Sequence, residues 1–156
     1  MENQEIALEK STFLIDEQIR QCIVSLEPEW AKKDIEFDFN LPTAEYFGAE
    51  YLISQIWQNI IGNAIKFTNN NGLIKINLIN TVEEIIVEIS DNGIGMDENT
   101  LNRIFDKFYQ GDTSHSSVGN GLGLALVNRI INICDGEIDV KSEINVGTTF
   151  TIKLKK

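Results

Sequence analysis

Basic residues are scarce in this chain: 13 Lys and Arg stand against 24 Asp and Glu, for a net charge of -11. A surface that acidic repels nucleic-acid backbones and anionic lipid, so neither is expected as the main partner. A small phosphorylated ligand stays open, because a local pocket can oppose the sign of the whole surface. Cysteine is scarcer still. Cys22 and Cys134 stand alone, without metal-type spacing, and read as two reduced thiols of a cytoplasmic protein. No apolar run approaches the roughly 20 residues of a membrane helix, and no signal-peptide pattern is present. The piece is therefore expected to be soluble and cytoplasmic, whether or not a parent protein is anchored in the cell membrane. No Gly-Lys-Ser/Thr triplet occurs, which excludes a P-loop. Histidine occurs once, as His115 between Ser114 and Ser116.

What is present suits one compact domain over 1–156: 42% of the residues are hydrophobic, and neither a linker nor an internal repeat interrupts the chain. Residues 6–8 suggest a short first strand. Ser11 or Thr12 is placed to cap a helix over 13–26, along which Leu14, Ile15, Ile19, Ile23 and Leu26 fall near helical spacing, with Pro28 at its end. Ile35, Phe37 and Phe39 alternate with Glu36, Asp38 and Asn40, the pattern of a half-buried strand. A long helix is predicted over 49–67, followed by strands over 73–79 and 85–89. A further helix over 122–134 is stopped by Asp135-Gly136, and strands over 137–141 and 149–154 close the chain around a turn at Asn145-Val146-Gly147. From 91 to 120 the sequence is polar and punctuated by glycine, apart from a short helical piece over 101–108. A long irregular stretch of that kind is usually a functional lid or a disordered segment. The mixed order predicts a two-layer α/β sandwich of α+β type, with a mixed sheet of about five strands and three main helices on one face.

Three stretches carry chemistry. Along 49–67, Ile53, Trp57, Ile60, Ile61 and Ala64 form a core stripe, while Asn59, Asn63, Lys66 and Phe67 share a second face. An Asn carbonyl is a hard ligand for Mg²⁺, Lys66 can meet phosphate charge, and Phe67 can pack on a purine ring. A solvated face with an incidental ring gives the same pattern. Asp91-Asn92-Gly93-Ile94-Gly95 follows a strand directly. Its carboxylate can accept a hydrogen bond from the exocyclic amine of adenine, where guanine shows a carbonyl. Gly93 and Gly95 admit close backbone approach, although a strand-ending turn uses the same residues. Gly119-Asn120-Gly121-Leu122-Gly123-Leu124 opens the helix over 122–134, so free amides face any anion held there. A flexible loop with a tight helix start is the plain alternative. A dinucleotide-binding fingerprint fails, because its glycines follow a strand and 112–119 is polar.

In this order, with Arg103-Ile104-Phe105-Asp106-Lys107-Phe108 and Gly147-Thr148-Thr149-Phe150, the motifs resemble the ATP-binding catalytic domain of two-component sensor histidine kinases. That domain has the Bergerat fold of the superfamily that also holds gyrase, mismatch-repair ATPases and pyruvate dehydrogenase kinase. Residues 58–68 resemble its N box, 91–95 its first glycine box, 105–108 its F box and 119–124 its second glycine box.

The resemblance implies ATP and Mg²⁺ as cofactors and transfer of the γ-phosphoryl group to a histidine. It implies Asn63 and Asn59 as metal ligands, Lys66 as a phosphate contact and Phe67 against adenine. Asp91 would bind the adenine amine, with Thr148 helping through a water. Gly93, Ile94, Gly95, Gly119, Gly121, Leu122, Gly123 and Leu124 would line the nucleotide. Arg103 matches an arginine near the γ-phosphate, completing a catalytic set with Asn59, Asn63 and Lys66. Residues 96–118 would form the ATP lid, with Phe105 and Phe108 as packing anchors. Gyrase-like members resemble one another in having a Glu general base where Asn59 stands. An amide takes up no proton at neutral pH, so the site is expected to hold Mg-ATP without that base. Transfer to an imidazole needs mainly positioning and charge stabilisation.

The chain departs from the family in one respect: His115 lies in the presumed lid, and no phosphoacceptor helix is present. A separate dimerisation and phosphoacceptor domain of a parent kinase is implied as partner, with a response regulator as indirect partner and this piece as a monomer. Two other readings compete: an anti-sigma-type protein serine kinase, and a nucleotide-sensing module without transfer activity. An ATP-gated clamp like gyrase is disfavoured by the missing Glu.

Overall fold

The computed structural model describes residues 9–105 and 122–156. Its elements in chain order are β1 (Ser11–Leu14), α1 (Ile15–Ser25), α2 (Glu27–Lys32), β2 (Glu36–Asn40), β3 (Glu45–Gly48), α3 (Glu50–Phe67), β4 (Leu73–Asn80), β5 (Glu84–Asp91), α4 (Glu98–Leu101), α5 (Leu122–Ile133), β6 (Glu137–Glu143) and β7 (Gly147–Lys155). Five strands form one sheet in the order β2-β4-β5-β7-β6. Among the described strands of this sheet only β2 runs parallel to its neighbour. α3 packs between α1 and α5, and these three helices cover one face of the mixed sheet. The expected α+β sandwich is therefore the observed one.

Period-two alternation builds the core. Ile74, Ile76 and Leu78 of β4, Ile85, Val87 and Ile89 of β5, and Phe150, Ile152 and Leu154 of β7 are all buried. The helical stripe meets them: Ile53, Ile56, Trp57, Ile60, Ile61, Ala64 and Ile65 of α3 are buried. Each such aliphatic side chain contributes roughly 1.5–3 kcal/mol by leaving water. Trp57 is fully buried because its indole N–H donates to Gln18 Oε1 at 2.9 Å. Among the described residues no helix is long and apolar enough to cross a membrane. Cys22 and Cys134 are free thiols, and burial pushes the Cys22 thiol up to about 12.

The N-terminal part differs from its sequence pattern. The strand expected at 6–8 lies outside the described residues. Ser11 and Thr12 do not cap a helix; they belong to β1, which pairs antiparallel with β3 as a separate two-stranded sheet. Phe13 packs edge-on against Tyr46 at 6.0 Å between ring centroids, and Leu14 pairs with Glu45, so strand pairing overrides the helix expected from residue 13. α1 starts at Ile15, whose amide donates to the Ala44 carbonyl at 2.9 Å, while the Ala44 amide donates to Asp16 Oδ1 at 2.9 Å. Pro28 does not end that helix. It sits in the first turn of α2, where its missing N–H costs nothing. Of the helical piece expected over 101–108, residues 106–108 lie outside the described residues; Leu101 closes α4 and 102–105 form a turn. Asp97 caps α4 by accepting from the Thr100 amide at 2.7 Å. Ile104 and Phe105 join the core, and Phe108 lies outside the described residues.

Candidate functional site

The side of α3 turned away from the core stripe carries Asn59, Asn63, Lys66 and Phe67, all partly exposed. Asn59 donates through Nδ2 to the Gln55 carbonyl one turn back, at 2.8 Å, which leaves Oδ1 as an outward acceptor. That oxygen faces the first turn of α5: a Cβ on Gly123 would stand 2.9 Å from it. The second glycine motif is thus brought against the asparagine helix although 64 positions separate the two residues. Lys66 Nζ lies 5.3 Å from the centroid of the Phe67 ring. Burial lowers its pKa, so the site holds a partly desolvated cation for which an anion is the natural partner.

The end of α3 is fixed by a residue that the sequence does not reveal. Lys33 Nζ donates to the carbonyls of Ile65, Lys66 and Thr68 at 2.9, 2.8 and 3.0 Å. A cation on the last carbonyls of a helix satisfies orphan acceptors and opposes the negative end of the dipole. Thr68 is buried, with its hydroxyl on the Ala64 carbonyl at 2.6 Å. The partners of Lys33 lie more than thirty residues away, so no local pattern marks it.

The Phe67 carbonyl is therefore held in place, and it accepts the Ile94 amide at 3.1 Å. The Ile94 carbonyl in turn accepts the Asn145 amide at 2.7 Å. The Asp91–Gly95 loop is strapped on one side to α3 and on the other to the β6–β7 turn. Its glycines have separate reasons. A Cβ on Gly93 would sit 2.0 Å from the Phe67 carbonyl oxygen, and Gly95 has φ +70, a left-handed conformation.

Asp91 ends β5. Its Oδ1 accepts the Gly93 amide at 2.8 Å. Burial raises its pKa, against the lowering effect of hydrogen bonds from the Gly93 and Thr148 amides. Sheet register places it in a row. Ile74, Asp91, Thr148 and Ser142 are successive cross-strand partners on β4, β5, β7 and β6. Directly paired residues project to the same face, and here that face is the helix-covered one. The next row is Ile76, Ile89, Phe150 and Val140, and the one after it Leu78, Val87, Ile152 and Ile138. The buried face is apolar until its last row, where three polar side chains replace aliphatic ones beside α3. Ser142 was not anticipated from sequence; the register of the closing hairpin is the signal that finds it.

The structure thus brings together Asn59 with Gly123, and Asp91 with Gly93, Ile94, Gly95, Thr148 and Phe67. Leu122 is the first residue of α5, and Leu124 packs partly buried against the core. Arg103 stands on the exposed turn after α4, its amide donating to Thr100. Gly119, Gly121 and His115 lie outside the described residues, as does 106–118 of the expected lid. Among the described residues no group of three or more His, Cys, Asp or Glu could hold a metal. The donor set beside α3 is amide oxygen, which fits Mg²⁺ only where a ligand's phosphates complete the shell.

Residues 48–156 match the family model described as histidine kinase-, DNA gyrase B-, and HSP90-like ATPase. Over 125 residues the chain is 42% identical to the heme sensor protein HssS of Staphylococcus saprophyticus, covering 80% of this chain and 27% of that protein. It is 37% identical over 150 residues to the signal transduction histidine-protein kinase ArlS of Staphylococcus aureus, covering 95% of this chain and 33% of that protein. The chain spans about a third or less of the length of these curated relatives. Among solved structures, the catalytic domain of histidine kinase ThkA matches with a TM-score of 0.81 at 26% identity, covering 95% of this chain and 98% of that chain. Full-length ShkA in complex with AMPPNP matches with a TM-score of 0.80 at 29% identity, covering 94% of this chain and 31% of that chain.

Proposed function

Because the chain belongs to the histidine kinase-, DNA gyrase B- and HSP90-like ATPase family, we propose that it binds Mg-ATP beside α3 and donates the γ-phosphoryl group to a histidine. The acceptor belongs to a dimerisation and phosphoacceptor domain of a longer parent kinase, in two-component signal transduction. A response regulator is then the downstream partner, and this domain works as a monomer on the cytoplasmic side.

The observation that carries the reading is the polar last row of an otherwise apolar sheet face. Asp91 there has one carboxylate oxygen held by the Gly93 amide, and its other oxygen is an acceptor suited to the amine of adenine. Asn59, Asn63 and Lys66 line the phosphate side. Asn63 and Asn59 would hold Mg²⁺, which supplies charge neutralisation for the phosphates when bound. Lys66, raised in free energy by burial, gains from a phosphate neighbour. Arg103 contributes charge near the γ-phosphate, with 96–118 in the role of ATP lid and 119–124 in that of the second glycine box. Asn59 cannot act as a general base, so it favours phosphoryl transfer to an incoming imidazole over activation of water. The similarity to proteins named histidine kinases favours histidine over serine as acceptor.

Calorimetric titration with a non-hydrolysable ATP analogue tests the site. Asp91→Asn should weaken binding on the order of 10- to 100-fold, because a charged acceptor is replaced at the amine. Asn63→Ala should remove the dependence of affinity on Mg²⁺. Folded parent protein that takes up no nucleotide would overturn the proposal.

A further inference from the structure

Ser142 Oγ is a junction of three contacts. It accepts the Met96 amide at 2.8 Å, lies 3.1 Å from the Gly147 carbonyl and 2.8 Å from Thr148 Oγ1. A hydroxyl has one proton to give and two lone pairs to offer. If Ser142 donates to the Gly147 carbonyl, it can accept from both Met96 and Thr148, and every group in the cluster is satisfied. If Ser142 donates to Thr148 instead, the Gly147 carbonyl loses this bond. The first arrangement makes more hydrogen bonds in a place where Thr148 is buried and an unmade bond is costly. It also uses up the proton of Thr148, whose hydroxyl is left with lone pairs only, in a residue that is the cross-strand partner of Asp91.

The geometry points to Ser142 as a specificity-positioning residue: it turns the Thr148 hydroxyl into an acceptor, so that Asp91 and Thr148 together select a purine with an amine at its 6-position and reject one with a carbonyl. This rests on the proposed adenine site. Two acceptors facing a 6-amino group complement it, directly or through a water. The same two acceptors facing a 6-oxo group are left unpaired. Ser142 touches no nucleotide itself; it acts through Thr148, and through Met96 it ties the same hydroxyl to the loop that follows Asp91.

ATP and ITP differ in base only by exchange of the 6-amine for a 6-carbonyl, with the accompanying ring proton, so the ratio of their affinities reads this selection. Binding of both is measured for the parent chain, Ser142→Ala, Ser142→Thr, Thr148→Val and the double variant Ser142→Ala/Thr148→Val. In Ser142→Ala the Thr148 proton is released and can turn toward a carbonyl. The preference for ATP is expected to narrow roughly 3- to 10-fold, the scale of one hydrogen bond. Ser142→Thr keeps the hydroxyl and should restore the preference. On the Thr148→Val background, Ser142→Ala should leave the ratio where it was, because the residue it acts through is gone. Ser142→Cys, with weaker hydrogen bonding at nearly the same volume, should fall between Ser and Ala and serves if the alanine variant does not fold. Equal weakening of ATP and ITP in Ser142→Ala would reduce Ser142 to a strut and overturn the inference, as would an unchanged coupling without Thr148. A parent chain that binds nucleotide but does not separate ATP from ITP would remove the adenine reading as well.

Discussion

Gly93 gives the sharpest test of how the loop is held. A methyl group there would sit 2.0 Å from the Phe67 carbonyl oxygen, 2.8 Å from its carbon and 3.0 Å from Asp91 Oδ1. Ordinary contact begins at 3.4 Å, so the loop or the end of α3 must yield by about 1.4 Å. Neither can do so freely. Lys33 pins the α3 terminus through three carbonyls, and the Asn145 amide holds the Ile94 carbonyl from the other side. The Ile94–Phe67 bond of 3.1 Å is the contact that must open. Overpacking of this kind costs about 1–3 kcal/mol, and the lost hydrogen bond about 1 kcal/mol more. Gly93→Ala should therefore destabilise the domain by about 2–4 kcal/mol, which for a chain of this size lowers Tm by roughly 5–15 °C. Thermal denaturation followed by far-ultraviolet circular dichroism measures it, with nucleotide titration alongside to record the displaced Asp91. Gly62→Ala is the matched control. It lies within α3, and nothing stands within 4 Å of the added Cβ. Relief of glycine's backbone entropy should raise stability by up to about 1 kcal/mol. A Gly93→Ala protein that melts within a degree of the parent and binds nucleotide as tightly would refute the strapped-loop account.

Two further outcomes follow from individual side chains. Lys33→Met keeps most of the aliphatic stem but leaves three helix-end carbonyls without their donor; it should lower stability by about 1–3 kcal/mol in urea denaturation and weaken nucleotide binding through the displaced Phe67 carbonyl. Asp91 has a carboxyl pushed up by burial, so the folded state binds its proton at a higher pH than the unfolded chain does. The sign is then opposite to that of a salt-bridged carboxylate: stability should rise as pH falls through the raised folded value, until the ordinary carboxylate range of the unfolded chain is reached. Urea denaturation of the parent and Asp91→Asn across that window should show the parent gaining on the variant with acidification. A constant difference would mean that Asp91 is not desolvated.

Much of the fold was legible along the chain because its elements rest on local pattern. The α3 stripe is readable at 3.6-residue spacing, and the apolar alternation of β4, β5 and β7 at spacing two. The candidate site has a related basis in the sequence. Asn59, Asn63, Lys66 and Phe67 share a helix face by geometry alone, and Asp91 with its glycines follows a strand end in the sequence itself. The failures fall where a distant partner outweighs local preference. Thr12 and Phe13 look like the start of a helix, but pairing with Phe47 and Tyr46 makes them a strand. Pro28 reads equally well as a helix end or as a helix start, and only the turn at Leu26 decides between them.

The sequence by itself determined which residues make up the proposed site and in what order, since amide, carboxylate, cation and glycine are properties of the residues and their spacing. Tertiary structure alone decided how those pieces face one another. The parallel pairing of β2 with β4 brings Lys33 under the end of α3. The packing of α5 on α3 sets Gly123 against Asn59, and the β6–β7 register lines up Ser142, Thr148 and Asp91 at the one polar end of the buried face. Apart from Ser142 and Thr148, which are six positions apart in one hairpin, these contacts join residues tens of positions apart. Their energies arise only after the core has closed the intervening chain, and so no window of local sequence contains them.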